Sequence, residues 1–342
     1  MFQSILVPLD GSSRAEAALP VARRIAQNVG ATLVLVRVVG FLSEYWPAMT
    51  SAHPSLAQAV IDADLKQATA YLEKVASSTE LEGLTVKTTA QFGPPAPTIL
   101  AVASSYNSDL IIMGSHGSAG MIHWMMGSVA EKIGRFATIP VLVVREEGTH
   151  LGGPLAGLAQ LLQMLIPLDG SAGAKAALEP GAELLLAMAA PGQKCALHLA
   201  RVHKQPLSDH EMLDQELAQA RGSLRQTVQQ IREGTLAPSI AEHHLPVTWS
   251  LLLDTDVASA LLRVAEQGED TEGAGAFGGC DLIAISTHGR SGFQRWMLGS
   301  ITERVFHATR RPILIVHPPE PTAWKESPLA GEGFSLKMFA HQ

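Results

Sequence analysis

The chain has 342 residues, 46% of them hydrophobic and 17% charged, with a net charge of −7; that length predicts about two domains, and the apolar content excludes wholesale disorder. Aromatic residues make up only 5%, so the cores must be aliphatic, which suits helices packed on parallel strands better than an aromatic-rich sandwich. The acidic balance, with a pI near 6.0, argues against a nucleic-acid or anionic-membrane partner, because both need a basic face.

The opening MFQSILVPLD runs straight into a buried strand at Ile5 to Leu9, without the basic n-region, long h-region or small-residue cleavage site of a signal peptide. A helix follows from Ser13 to Asn28, ended by Gly30, with Ser12 or Ser13 as N-cap. Thr32 to Val39 reads as the next strand, Leu56 to Ser77 as a long helix and Thr85 to Phe92 as a half-buried strand. Pro95 and Pro97 start a helix from Ala96 to Ser105. Leu110 to Gly114 is a fully apolar strand, Ser128 to Phe136 a helix, and Val141 to Val144 a last strand after Pro140. Strands alternating with helices predict a parallel sheet with both faces covered.

The same order then returns. ILVPLDGS at Ile5 to Ser12 recurs as MLIPLDGS at Met164 to Ser171. DLIIMGSHG at Asp109 to Gly117 recurs as DLIAISTHG at Asp281 to Gly289, and from there to Val144 and Val316 the two stretches share 14 identities in 36 positions. A period this long marks a duplicated domain rather than a solenoid. The expected boundaries are 1–146 for the first copy, 147–160 for a linker, 161–318 for the second copy and 319–342 for a tail. Leu197 to Val202, Val247 to Leu253, Leu282 to Ser286 and Ile313 to Val316 are the later strands of the second copy. The Gly-rich stretch Glu269 to Cys280 occurs in that copy alone and reads as a surface loop. Cys195 and Cys280 are too few for a disulfide framework and at no metal-ligand spacing, so both are expected to be buried thiols. No apolar run is long enough to span a bilayer. A cytoplasmic location is expected.

In open α/β sheets ligands bind beyond the carboxyl ends of the strands, where strand order reverses. Two loops per copy belong there. One is PLDGS, which puts Asp10 and Asp169 at the end of the first strand. The other is Gly114-x2-Gly117-x9-Gly127-Ser128, matched by Ser286-x2-Gly289-x9-Gly299-Ser300. Glycines there allow positive φ and close approach, and Gly-Ser opening a helix presents unpaired N–H groups to an anion. Neither GxxxxGK[ST] nor a GxGxxG after the first strand occurs, so a Walker loop and the usual dinucleotide fingerprint are absent.

The combination PLDGS, DLIIMGSHG, WMMGSVAEK and IPVLVV closely resembles the universal stress protein family, over Phe2 to Val144 and again over Gln163 to His317. The resemblance implies two tandem doubly wound, Rossmann-like α/β domains, each a five-stranded parallel sheet with helices on both faces. The first copy matches the family's nucleotide pattern G-x2-G-x9-G-[ST] in full. The second departs at Ser286, which is expected to weaken that site modestly because serine disfavours positive φ.

Carried onto this chain, the resemblance implies an adenine nucleotide, ATP or a relative, across each switch point. Pro8, Leu9 and Asp10, or Pro167, Leu168 and Asp169, would sit by the adenosine, and the backbone at Val38 or Val202 would meet the adenine edge. Gly114, His116 and Gly117 would line the ribose and phosphates, which Gly127, Ser128 and Val129 would hold. The second set is Ser286, His288, Gly289, Gly299, Ser300 and Ile301, with Arg290 in reach of the phosphates. Mg²⁺ would ride on phosphate oxygens rather than on protein ligands. No residue reads as a metal ligand, and none as a general base or arginine finger, so hydrolysis should be slow at most.

Each residue also has a plainer reading. Asp10 and Asp169 could be turn residues, His116 and His288 structural, and Trp124 and Trp296 packing residues. Lys132, Arg135, Arg290 and Arg295 could be exposed helix charges, and His243 and His244 a solvated loop. The last strands, apolar edges that need covering, are by resemblance expected to pair, making an internal pseudo-dimer that could dimerise further. A non-nucleotide-binding interaction scaffold is the alternative function, with a slow ATPase or kinase as the third.

Overall fold

The computed structural model describes residues 1–40, 54–115, 127–145, 161–205, 213–271, 275–287 and 298–318. The first copy runs β1 (Ser4–Pro8), α1 (Ser13–Glu16), α2 (Leu19–Val29), β2 (Thr32–Val39), α3 (Pro54–Ala76), β3 (Val86–Phe92), α4 (Pro95–Ser105), β4 (Leu110–Gly114), α5 (Ser128–Phe136) and β5 (Val141–Val144). The second runs β6 (Leu162–Pro167), α6 (Ala172–Lys175), α7 (Leu178–Met188), β7 (Cys195–Lys204), α8 (Leu213–Arg232), α9 (Pro238–Glu242), β8 (Val247–Asp254) and α10 (Val257–Gln267). It continues with β9 (Glu269–Thr271), β10 (Gly275–Phe277), β11 (Leu282–Ser286), α11 (Ser300–Ala308) and β12 (Ile313–Val316).

Ten of these strands form one sheet in the order β3-β2-β1-β4-β5-β12-β11-β6-β7-β8. Within each half all pairings are parallel. Strand order reverses between β1 and β4 and again between β6 and β11, the doubly wound pattern that leaves a crevice at each reversal. The halves meet where β5 pairs antiparallel with β12, Ile313 opposite Val143 and Ile315 opposite Val141. Every residue of those two short strands is buried.

Alternation along the strands divides the core between the two faces of the sheet, and both layers cross the seam between copies. One holds Ile5, Leu33, Leu142, Met164, Leu184 and Leu314; the other holds Leu6, Ile133, Val143, Leu165, Phe306 and Ile315. On the first face α2 lies along α7, where Asn28 Nδ2 donates to the carbonyls of Ala187 and Ala189 at 2.8 Å each, covering orphan acceptors at the end of α7. On the second face α5 approaches so closely that a Cβ on Gly134 would lie 3.0 Å from Ile315 Cδ1 and 3.4 Å from Phe306 Cζ.

Two expectations need correction. The helix expected from Ser13 to Asn28 is broken after Glu16. Pro20 has no N–H to bond the carbonyl of Glu16, and its ring crowds that carbonyl, so the chain restarts with Pro20 in its first turn. Gly30 does end it, left-handed at φ 70. The second correction concerns the Gly-rich insertion, which is not merely a surface loop. Its β9 and β10 form an antiparallel ladder, and Phe277 is buried against His198 with ring centroids 4.1 Å apart. His198 is itself fully buried, with Nδ1 2.9 Å from Thr248 Oγ1 and Nε2 3.0 Å from Ser250 Oγ. Burial holds its pKa down at about 4. By strand register the matching residue in the first copy is Val34, so this polar inclusion and its aromatic lid belong to one copy.

Cys195 and Cys280 are buried free thiols, as expected. Among the described residues no helix is long and apolar enough to cross a membrane. The linker at 147–160 and the tail at 319–342 lie outside the described residues.

Candidate functional site

Both PLDGS loops continue the sheet for one residue past the strand, with the N–H of Leu9 on Val36 and that of Leu168 on Ala200, each at 2.8 Å. The chain then turns. Oδ1 of Asp10 accepts from the N–H and hydroxyl of Ser12 at 2.9 and 2.6 Å, and Oδ1 of Asp169 accepts from the N–H of Ser171 at 2.8 Å. Gly11 and Gly170 make the turn possible at φ 91 and 89. Ser12, the N-cap of α1, accepts from the N–H of Ala15, and Ser171, the N-cap of α6, accepts from that of Ala174. The plainer reading of the two aspartates as turn residues therefore describes one oxygen of each. Pro8, Leu9, Pro167 and Leu168 are buried, and Asp10 and Asp169 are half-buried at the strand ends.

The second loop is stapled at its base in the same way in both copies. Ser115 donates to Val144 and Thr287 to Val316, each at 2.9 Å; Gly127 donates back to Ser115 at 2.9 Å and Gly299 to Thr287 at 2.8 Å. The staple delivers the start of α5 to the carboxyl end of β4, and the start of α11 to that of β11. Gly127 and Gly299 occupy the N-cap positions, and no side chain caps either helix among the described residues. Helix geometry leaves the first N–H groups, those of Ser128 and Val129 and of Ser300 and Ile301, without intrahelical acceptors. They lie at the positive end of the helix dipole, where an anion is stabilised by about 0.3–1 kcal/mol per charge when exposed. Ser128, Ser300 and Ile301 are exposed and Val129 is half-buried.

The described glycines of this loop do not serve a positive φ, contrary to expectation. Gly127 and Gly299 have φ −64 and −57, and Gly114 is not among the positive-φ residues either. Gly114 is needed for close packing, because a Cβ there would lie 2.6 Å from the carbonyl oxygen of Arg14. Serine's dislike of positive φ is thus no reason to weaken the second copy. Ser286 is buried, its carbonyl accepts from Thr302 Oγ1 at 2.9 Å, and the staple beside it is intact.

Val38 and Val202 are half-buried near the ends of β2 and β7. The residue before each was missed. Arg37 and Arg201 lay their guanidinium groups over the turn glycines, 3.4 Å from a Cβ built on Gly11 and 2.9 Å from one on Gly170. Arg37 stacks on Tyr71 at 4.8 Å, whose hydroxyl donates to Glu16 at 2.6 Å. Arg201 is buried and donates to the carbonyl of Ala220 in α8 at 3.4 Å. Each arginine props the aspartate-bearing turn against the long helix behind it. The signal was an Arg-Val pair, Arg37-Val38 and Arg201-Val202, recurring near the end of the second strand of each copy.

The copies differ nearby. In the second, Arg304 grips Asp256, the N-cap of α10, with two bonds of 2.7 and 2.6 Å, and Arg263 reaches Asp254 at 2.9 Å. These partners hold both carboxyls below the usual carboxylate range: the bond from Arg304 acts first on Asp256, and the main-chain N–H of Asp256, then Arg263, on Asp254. The N-cap of the matching helix in the first copy is Pro94, which offers no such anchor. His243 and His244 close the short α9, both exposed. His116, Gly117, Trp124, His288, Gly289, Arg290, Arg295 and Trp296 lie outside the described residues.

A family profile described as "Universal stress protein family" matches residues 1–145 and again 162–317. Over 320 residues the chain is 25% identical to a universal stress protein of Mycobacterium tuberculosis, covering 91% of this chain and 96% of that one. The solved universal stress protein of Archaeoglobus fulgidus shares the fold at TM-score 0.59 and 18% identity, over 92% of this chain and 98% of that one. A universal stress protein solved in complex with cAMP matches 42% of this chain and 97% of its own, at 20% identity and TM-score 0.28.

Proposed function

This chain belongs to the universal stress protein family, and we propose that it binds an adenine nucleotide in each copy, acting in the cytoplasm in a stress response with little or no catalysis. The observation that carries the proposal is the duplicated, uncapped helix start stapled to the end of a central strand at the point where strand order reverses. The N–H groups at Ser128 and Val129, and at Ser300 and Ile301, fit a phosphate and need no basic surface, which accords with the acidic balance of the chain. Asp10 and Asp169 would face the adenosine, with Val38 and Val202 at the adenine edge. Mg²⁺, if carried, would be held by the phosphate oxygens.

Heat-denaturing the pure protein and identifying the released ligand by mass spectrometry tests this. The expected result is adenine nucleotide, one or two per chain, with binding of ATP, ADP, AMP or cAMP below millimolar by calorimetry in Mg²⁺. No released nucleotide and no such affinity would remove the proposal. Measurable ATP turnover that Gly127→Val abolishes would instead favour the ATPase reading.

The pairing of β5 with β12 supports a second reading, an internal pseudo-dimer of domains at 1–146 and 161–318 whose working surface is an interface. Deleting Ile313 to Val316 should then expose β5 and change the oligomeric state. A monomer of unchanged stability would remove that reading.

A further inference from the structure

On the face of the sheet where α5 meets α11, a cluster of charged groups straddles the seam. Glu303 and His307 stand four residues apart on α11, which puts both side chains on one face of the helix. Glu131, the residue of α5 that matches Glu303 in the repeat, reaches the same point from the other copy. One donor atom of each comes within 4.8 Å of the others, and all three residues are half-buried. We propose that Glu131, Glu303 and His307 form a binding site for a divalent transition-metal ion of the zinc class, closing across the seam between the two copies.

The donor set selects the ion. Two carboxylate oxygens and one imidazole nitrogen, with water in the fourth position, suit zinc and its first-row neighbours, whereas magnesium and calcium prefer oxygen throughout. Donors bound about 2.0–2.2 Å from such an ion lie at most about 4.4 Å apart, close to the 4.8 Å within which these three atoms already stand.

The same point already attracts a cation. Arg135 Nη2 lies 3.1 Å from Glu131 Oε1 and 3.8 Å from Glu303 Oε1. This one guanidinium offsets only part of the charge of two carboxylates, and its buried Nε has no hydrogen-bond partner among the described residues. Such a group is incompletely satisfied where it lies, so a divalent ion can displace it toward solvent. The repeat matches Arg135 to His307. One copy thus supplies a fixed positive charge and the other a metal ligand, and the two compete for the same pair of glutamates. Bound, the ion would tie α5 to α11 and hold the copies together, whatever the nucleotide sites contain.

The tag-free full chain, stripped with chelator and free of nucleotide, is titrated with zinc chloride by calorimetry and melted with and without zinc. The expected result is one strong site and a raised melting temperature. Losing even an outer partner of a metal site costs roughly 10- to 100-fold in affinity, so His307→Ala and Glu303→Gln should each weaken binding at least that much. Arg135→Gln should tighten it, because the competing cation is gone while both carboxylates remain. That variant also separates lost binding from lost fold. Zinc binding that neither His307→Ala nor Glu303→Gln weakens would overturn the proposal, as would the lack of a strong site in both the wild-type chain and Arg135→Gln.

Discussion

The guanidinium of Arg145 donates to the main-chain carbonyl of Phe306, in the last turn of α11 and 161 residues further along the chain. Its counterpart in the repeat, His317, makes the reciprocal contact, Nε2 to the carbonyl of Arg135 in the last turn of α5 at 3.3 Å. Each copy therefore ends its last strand with a side chain that caps the other copy's last helix, where carbonyls lack intrahelical partners and the dipole is negative. Arg145 is buried, and burial lowers its pKa to about 10. It stays charged at neutral pH.

Arg145→Met keeps the stem and removes the donor. A hydrogen bond to a charged group contributes about 1.5–3 kcal/mol, so a loss in that range is expected in urea unfolding, and a smaller one for His317→Leu, whose contact is longer at 3.3 Å. An Arg145→Met protein as stable as the wild type would show that the cap contributes nothing.

His198 makes stability depend on pH. Burial holds its folded pKa at about 4, below the ordinary imidazole value of about 6.5, so the unfolded chain binds the extra proton first. The associated stability is complete above about pH 6.5 and is lost as pH falls toward 4, by at most about 3 kcal/mol. Denaturant midpoints measured at several pH values should show this slope in the wild type. His198→Val, which installs the residue of the first copy, should flatten it.

Phe277 anchors the insertion. Truncating a buried phenylalanine costs about 3–5 kcal/mol, so Phe277→Ala should destabilise the second copy and speed hydrogen exchange in β9 and β10. The first copy should exchange as before, and an equal effect on both would contradict the one-sided packing.

Gly114 and Ser286 occupy the same place but respond in opposite ways. A methyl on Gly114 meets the carbonyl of Arg14 at 2.6 Å, so Gly114→Ala should cost about 1–3 kcal/mol, the usual range for overpacking. Ser286→Gly should leave nucleotide binding by the second copy unchanged, because the staple at Thr287 and Gly299 is already formed with serine present. A clear gain in affinity on Ser286→Gly would restore the view that serine impairs that site.

Strands were the most legible part of the fold. Thr32 to Val39, Leu110 to Gly114, Leu282 to Ser286 and Ile313 to Val316 lie where their apolar runs predict them, because strands covered on both faces are built mostly from apolar residues. The break at Pro20 was hidden by an apolar periodicity that continues across it. The insertion hairpin was hidden because Phe277, the one aromatic in that stretch, stands among glycines.

At the candidate site, the aspartates and helix starts could be placed from spacing alone. Arg37 and Arg201 could not, since a lone charge in a strand says nothing of the glycine it covers. Arg135 read as an exposed helix charge because one of the two carboxylates it pairs with, Glu303, belongs to the other copy.

The antiparallel junction of β5 with β12 has a geometric consequence for anything that uses this protein. Within the ten-stranded sheet the five strands of one half point one way and the five of the other half point back, so the two crevices open on opposite rims. The chain thus presents two like crevices that face away from each other across one continuous sheet.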